Sequence, residues 1–129
     1  MTGRYIQLTK LPPNLEYAFC NLDLKNTSIK SLGKLKRVGG SLDLSYSQIE
    51  DLGDLGEVGW DLRLKNTPIK SLGKLKRVDG GLDLSNSQIE DLGDLEEVGL
   101  SIYISKKQRE LEKILIERGW KYKIRYVEE

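Results

Sequence analysis

The chain has no histidine, one cysteine, one phenylalanine and three prolines in 129 residues. Without histidine it lacks the side chain that most often serves as a general base or metal ligand near neutral pH. Cys20 stands alone, so no intramolecular disulfide can form, which fits a reducing compartment. With no histidine to activate it, its expected role is a small buried residue beside the first strand. Charged residues interrupt every leucine-rich stretch, and no apolar run approaches a bilayer span. The opening MTGRYIQLTKLPPNLEYAF has no basic region ahead of an unbroken apolar core, so no secretory signal is expected. Charge of one sign is missing too. Twenty-one Lys and Arg against 20 Asp and Glu leave +1, and no global field steers the protein toward nucleic acid or anionic lipid. GKLK lacks phosphate-loop spacing, there is no cysteine–histidine cluster, and the acidic residues lack a calcium-loop motif. No enzyme activity, cofactor, metal, nucleic acid or membrane is expected, and the location expected is cytoplasmic.

What the sequence has is a repeat. Residues 21–40, 41–60, 61–80 and 81–100 align without a gap at a period of 20. Each unit carries apolar residues at the same six places, as in Leu22, Leu24, Ile29, Leu32, Leu35 and Val38. Leu22 and Leu24 alternate with polar neighbours, the period-2 sign of a strand buried on one face. Ile29, Leu32, Leu35 and Val38 recur every three residues around Gly33, a spacing that fits 3₁₀ or polyproline-type turns better than an α-helix. One such unit cannot bury its apolar side alone. Stacked in register it can, which predicts a single-domain α/β solenoid with one parallel strand per rung. Gly39, Gly59, Asp79 and Gly99 share a position, read as backbone with φ > 0. Pro68, in the place of Ser28, Gln48 and Gln88, marks an amide not expected to join the ladder.

The pattern LDLKNTSIKSL, LDLSYSQIEDL, LRLKNTPIKSL, LDLSNSQIEDL resembles the leucine-rich repeat in its short 20-residue form. LTKLPPNLEYAF is similar to the LPxxL segment of such repeats in bacterial effectors and bacteriophage proteins. The resemblance spans roughly residues 8–104. It implies a protein-binding scaffold that uses its strand face, with occlusion of a host factor by a phage or bacterial protein as one form of that function. It also implies that Thr27, Ser47, Thr67 and Ser87 stand in for the family's asparagine, satisfying buried backbone groups with hydroxyls.

A solenoid must cap its ends. Residues 1–20 read as a degenerate first rung, with Leu8, Leu11 and Leu15 near repeat positions and one extra residue. Residues 101–129 read as a strand–helix–strand cap. SIYIS is a strand, and SKKQRELEKILIERG is a helix with Ser105 as N-cap, Leu111, Ile114 and Leu115 on one face, and Gly119 as terminator. KYKIRYV is an alternating strand. A right-handed crossover would place that last strand on the sheet and the helix over the open core.

The variable positions alternate in charge. Lys30, Glu50, Lys70 and Glu90 form one column, Lys34, Asp54, Lys74 and Asp94 another, and Arg37, Glu57, Arg77 and Glu97 a third. The four units carry +4 (5−1), −5, +4 (6−2) and −6. At the strand spacing of about 4.8 Å each cation faces an anion on the next rung, so these charges are read as stabilisers of register. They also reflect a duplicated 40-residue unit, because alternate units are identical at 16 of 20 positions.

Stacking alone would fill equivalent positions alike, so the exceptions are the candidate protein-binding residues. The column between the strand leucines reads Asp43, Arg63, Asp83, Tyr103 after Asp23, with Lys123 expected next. Strand alternation turns it away from the core. Tyr46 replaces an asparagine, and Trp60 replaces a glycine. Tryptophan, tyrosine and arginine are the usual interface anchors. Strand parity leaves Trp60 open between core and interface. Tyr46 is open between surface and capping use, and Arg63 between a contact role and pairing with Asp43 and Asp83. The partner class expected is protein, and the oligomeric state a monomer or weak homodimer. The alternative function is a structural module that self-associates through the terminal strand edge.

Overall fold

The computed structural model describes residues 5–7 and 9–128, with side chains from residue 9 onward. In chain order the elements are β1 (Tyr5–Gln7), β2 (Tyr17–Ala18), β3 (Asn21–Asp23), β4 (Arg37–Val38), β5 (Leu42–Asp43), β6 (Glu57–Val58), β7 (Leu62–Arg63), β8 (Arg77–Val78), β9 (Leu82–Asp83), β10 (Glu97–Val98), β11 (Ile102–Ser105), α1 (Arg109–Glu117) and β12 (Ile124–Val127). They form two parallel sheets, one ordered β1-β3-β5-β7-β9-β11-β12 and the other β10-β8-β6-β4-β2. The chain is a solenoid of short parallel strands repeating every 20 residues. Where the sequence predicts one strand per rung, each repeat adds a second two-residue strand at the Arg37–Val38 position.

The apolar columns form one continuous core. Leu42, Leu44, Ile49, Leu52, Leu55 and Val58 are buried, as are their equivalents in the next two units. Each such side chain contributes about 1.5–3 kcal/mol when fully buried. Two tight turns fold each rung, seen in Ser47 N–H donating to Leu44 O (3.1 Å) and Leu55 N–H donating to Leu52 O (3.1 Å). Positive φ falls within these turns, at Asn26, Tyr46, Asn66 and Asn86 and at Gly33, Gly53, Gly73 and Gly93. It does not fall at Gly39, Gly59, Asp79 and Gly99, which corrects the sequence expectation. At Gly59 the constraint is close approach, since a Cβ would lie 2.2 Å from Gly39 O. In the Pro68 column the expectation fails at one rung, where the Gln48 amide donates to Thr27 O at 3.1 Å.

The hydroxyl column serves the backbone inside its own rung. Thr27 and Thr67 Oγ1 donate to Leu24 and Leu64 O at 2.7 Å, and Ser87 Oγ donates to Leu84 O at 2.8 Å. At the N-terminal end Leu11 and Leu15 pack half-buried on the core, while Leu8 lies outside the described residues. The first turn is short rather than long: Gln7 pairs with Asp23, 16 residues on (23−7).

At the other end β12 pairs in parallel with β11, and α1 buries Leu111 and Leu115 with Ile114 packed beside them. Gly119, at φ +86°, ends the helix. The helix starts at Arg109 with Gln108 before it, not at Ser105. Ser105 closes β11, and its Oγ accepts the Lys107 amide at 3.2 Å. Lys121–Lys123 form a 3₁₀ turn, so the last strand begins at Ile124, and Tyr122 is exposed.

Opposite charges meet across rungs as expected at Lys74–Asp54 (2.9 Å), Lys30–Glu50 (3.6 Å) and Arg37–Glu57 (3.7 Å), and a further pair outside those columns joins Lys36 to Glu16 at 2.8 Å. Arg77 turns instead to Asp79 in its own rung, at 3.1 Å. Hydrogen bonding from Lys36 lowers the pKa of Glu16, and that from Lys74 lowers the pKa of Asp54. With folded values below the unfolded ones, these contributions are complete above the unfolded carboxylate pKa. They are lost as pH falls through the folded value. Exposed pairs are individually weak and screened by salt. Replacing Lys34, Lys74 and Arg77 together by glutamate should therefore lower the melting temperature most at low salt and near neutral pH. The deficit should shrink in high salt or acid. Equal melting at low salt would show the columns to be energetically silent.

Candidate functional site

The two strands of each rung meet at a corner formed by residues 39–41 and their equivalents. One corner column, Asn21, Ser41, Asp61 and Gly81, makes a side-chain ladder along the stack. Asn21 Oδ1 accepts the Ser41 amide at 2.8 Å, Ser41 Oγ the Asp61 amide at 3.2 Å, and Asp61 Oδ1 the Gly81 amide at 2.7 Å. The ladder explains the neighbouring column. A Cβ at Gly40 would lie 2.2 Å from Asn21 Oδ1, and one at Gly80 would lie 2.5 Å from Asp61 Oδ1. Where the ladder residue is the short Ser41 or the bare Gly81, the next corner residue carries a side chain: Trp60 and Leu100. Both point outward, 59% and 57% exposed. Trp60 is therefore a surface residue, and the core alternative is excluded.

Beside Leu100 lies a groove of about 340 Å³, lined by Asp61, Arg63, Gly81, Asp83, Leu100 and Tyr103. Arg63 Nη2 donates to Asp61 Oδ2 at 3.3 Å. Asp83 Oδ1 accepts the Ser85 amide and hydroxyl at 2.9 and 2.6 Å. The Tyr103 ring, 39% exposed, leans over Gly81. The groove offers an apolar wall, an aromatic edge and three charged groups already oriented by hydrogen bonds. That equipment suits recognition of a side chain.

Strand register places Asp23, Asp43, Arg63, Asp83 and Tyr103 in one row, as the sequence predicts, and then Arg125. Lys123 is not in the row. The 3₁₀ turn before β12 uses two extra residues, so Tyr103 pairs 22 residues on (125−103) rather than 20. The row is also less open than alternation implies. Asp43 is 9% exposed, its Oδ1 bound to the Ser45 amide at 2.9 Å, and Asp23 is held by the Lys25 amide and ammonium at 3.1 and 2.7 Å.

Tyr46 is exposed but belongs elsewhere, beyond the other end of β5. It borders a second shallow groove with Thr9, Asn26, Thr27, Ser28 and Gln48. Its φ of +61° is shared with asparagines in the other rungs, a left-handed conformation that asparagine tolerates and a bulky side chain resists. Cys20 is half-buried against the core. Among the described residues no group of three or more His, Cys, Asp and Glu is placed to hold a metal, and no helix is long and apolar enough to cross a membrane.

Asp61, Gly81 and Leu100 are groove residues that the sequence reading passed over. Their signal was present. Alternate units differ at only four positions each, and the groove takes Asp61, Arg63, Gly81 and Leu100 from those differing positions. Comparison with protein-family models, curated proteins and solved structures finds no match to this chain.

Proposed function

We propose that the protein is a non-enzymatic binding scaffold of the leucine-rich repeat class, and that it grips a protein partner at the corner groove and the strand row beside it. The observation that supports this reading is where the duplicated unit has diverged. The apolar and charge columns have stayed alike between alternate units, while four of the six groove residues stand where the copies differ. Exposed Leu100 and Tyr103 border the polar groups Arg63, Asp61 and Asp83, and exposed Trp60 stands next to Asp61 in the chain, an apolar and aromatic arrangement with charged flanks typical of interface anchors. Blocking of a host factor by a phage or bacterial protein is one use of such a face, and the resemblance of the repeat supports it.

The test is affinity capture from the native host with the wild type and with an Arg63→Asp, Tyr103→Ser double variant. A partner held by the wild type should lose at least about 2 kcal/mol of affinity for the variant. Substitutions at Lys34 and Asp54, on a stacking column, should leave capture intact. If instead the column variants abolish binding and the double variant binds fully, the wrong face has been assigned.

A further inference from the structure

We infer that the same face binds a second copy of this chain, in a two-fold arrangement that runs the two stacks of rungs in opposite directions. This rests on the reading of the face as a protein-binding surface, and it names one partner. An isologous interface must be complementary to itself. The row reads Asp23, Asp43, Arg63, Asp83, Tyr103, Arg125. Laid against its own reversal, Asp23 meets Arg125, Asp43 meets the Tyr103 hydroxyl, and Arg63 meets Asp83, each pair occurring twice. A slip of one rung sets Arg63 against Arg63 or Asp83 against Asp83. A parallel alignment sets like on like throughout. Charge therefore selects one alignment. In this alignment the second +4 unit faces the −6 unit, and the two-fold repeats that match.

Shape selects the same alignment. Trp60 comes opposite Gly80 and Gly81 of the second copy, and Leu100 opposite its Gly40, so each large side chain meets residues without one. Large corner residues recur every second rung, roughly 9.6 Å apart, and the glycines fall between them. The groove beside Gly81 would take the indole of Trp60 against Leu100, the Tyr103 ring and the Arg63 guanidinium, combining apolar burial with a cation–π contact. Arg63 already holds Asp61, and its five donors let it face a second carboxylate as well. Asp23 and Asp43, both largely buried, contribute charge rather than area.

Sedimentation equilibrium over about a hundred-fold range of concentration tests this directly. The wild type should show a concentration-dependent dimer. Arg63→Asp, Asp83→Arg and Trp60→Ser should each weaken it at least about thirty-fold. The Arg63→Asp, Asp83→Arg double variant should recover the dimer. Mixing the two single charge variants should give a heterodimer, because each new carboxylate at position 63 then meets a new guanidinium at position 83. Should Asp83→Arg lose its cooperative melt, Trp60→Ser and Arg63→Asp carry the test, since both sites lie on the surface. A wild type that stays monomeric, or single variants that dimerise undiminished through the terminal strand, would overturn the inference. A monomeric wild type whose captured partner is still lost on Arg63→Asp would remove the second copy and keep the binding face.

Discussion

Gly93→Ala is expected to lower stability by about 3–5 kcal/mol, against about 1–2 kcal/mol for Gly73→Ala, although both glycines occupy the same repeat position. Their backbone is the same, φ +55° and +54°, so each alanine bears the left-handed penalty. Their surroundings differ. A Cβ on Gly93 would lie 2.3 Å from Gly73 O and 2.8 Å from Gly73 N, while one on Gly73 meets nothing within 4 Å. Those neighbours are backbone and cannot rotate away. The other pair repeats the contrast, with Gly53 pressed on Gly33 O at 2.4 Å and Gly33 open. The cause is a pairing of rungs. Ser31 bridges to Asp51 and Ser71 to Asp91, and the Asp54 and Asp94 amides donate to Gly33 and Gly73 O at 3.0 and 2.9 Å. The acidic rung is drawn onto the basic rung before it, so the 40-residue duplication is also a physical unit. Urea unfolding of all four alanine variants checks this. Equal losses at Gly73 and Gly93 would show that the left-handed conformation alone matters.

The stacking register was legible because leucine pairs at Leu22/Leu24 and their equivalents repeat without a gap, and burial of one face leaves no other register. The charge columns were legible for the same reason. The second strand of each rung was not, because two residues such as Arg37–Val38 are too few to show an alternation. The sequence does not decide Trp60, because parity counted back from β7 does not carry around a corner, where the backbone changes direction. The left-handed positions were misplaced onto Gly59 and its column for an instructive reason. Glycine serves both positive φ and close approach, and sequence alone does not separate them; the Asn26, Asn66 and Asn86 column carried the clearer signal. Lys123 was placed by extending the period through the cap, where the 3₁₀ turn breaks it. The groove itself needed the ladder. With Asn21 and Asp61 bound to the next rung, and the backbone of the preceding corner within 3.0 Å as well, Gly40 and Gly80 have no room for a side chain, whereas Trp60 and Leu100 carry one.

Gln108→Ala is expected to cost roughly 2–4 kcal/mol, an unusual loss for a residue at the start of a surface helix. Along the stack the amides of Asn26, Tyr46 and Asn66 donate to carbonyls of the following rung, Ser45, Lys65 and Ser85, at 2.9–3.0 Å. Asn86 finds a side chain in that place. Gln108 Oε1 accepts the Asn86 amide at 2.9 Å and the Ser105 amide at 2.7 Å. Its Nε2 donates to Leu84 O at 2.9 Å and Ser87 O at 3.2 Å. One carboxamide thus does the work of the next rung's backbone. Arg118 assists at the far side of the helix, with Nη2 donating to Leu95 O at 2.9 Å and Gly93 O at 3.3 Å. Alanine at 108 takes a partner from the Asn86 amide and the Ser87 carbonyl of a part-buried edge, while Leu84 O keeps the Ser87 amide and hydroxyl, and each group left unsatisfied costs about 1–3 kcal/mol if water cannot reach it. Gln108→Glu keeps the acceptor but loses both donors and sets a carboxylate against two carbonyls. It should therefore be destabilised at neutral pH and recover as acidification protonates it. Removing residues 105–129 takes away Gln108, Arg118, Leu111 and Leu115 together. It also bares Ile102 and Ile104 on a strand whose outer edge is left unpaired, so aggregation or a loss of cooperative unfolding is expected. Thermal melts of the two point variants across pH, with light scattering on the truncation, decide the matter. A truncated chain that stays monomeric and melts cooperatively would show that the solenoid can end at Ile104 without a cap.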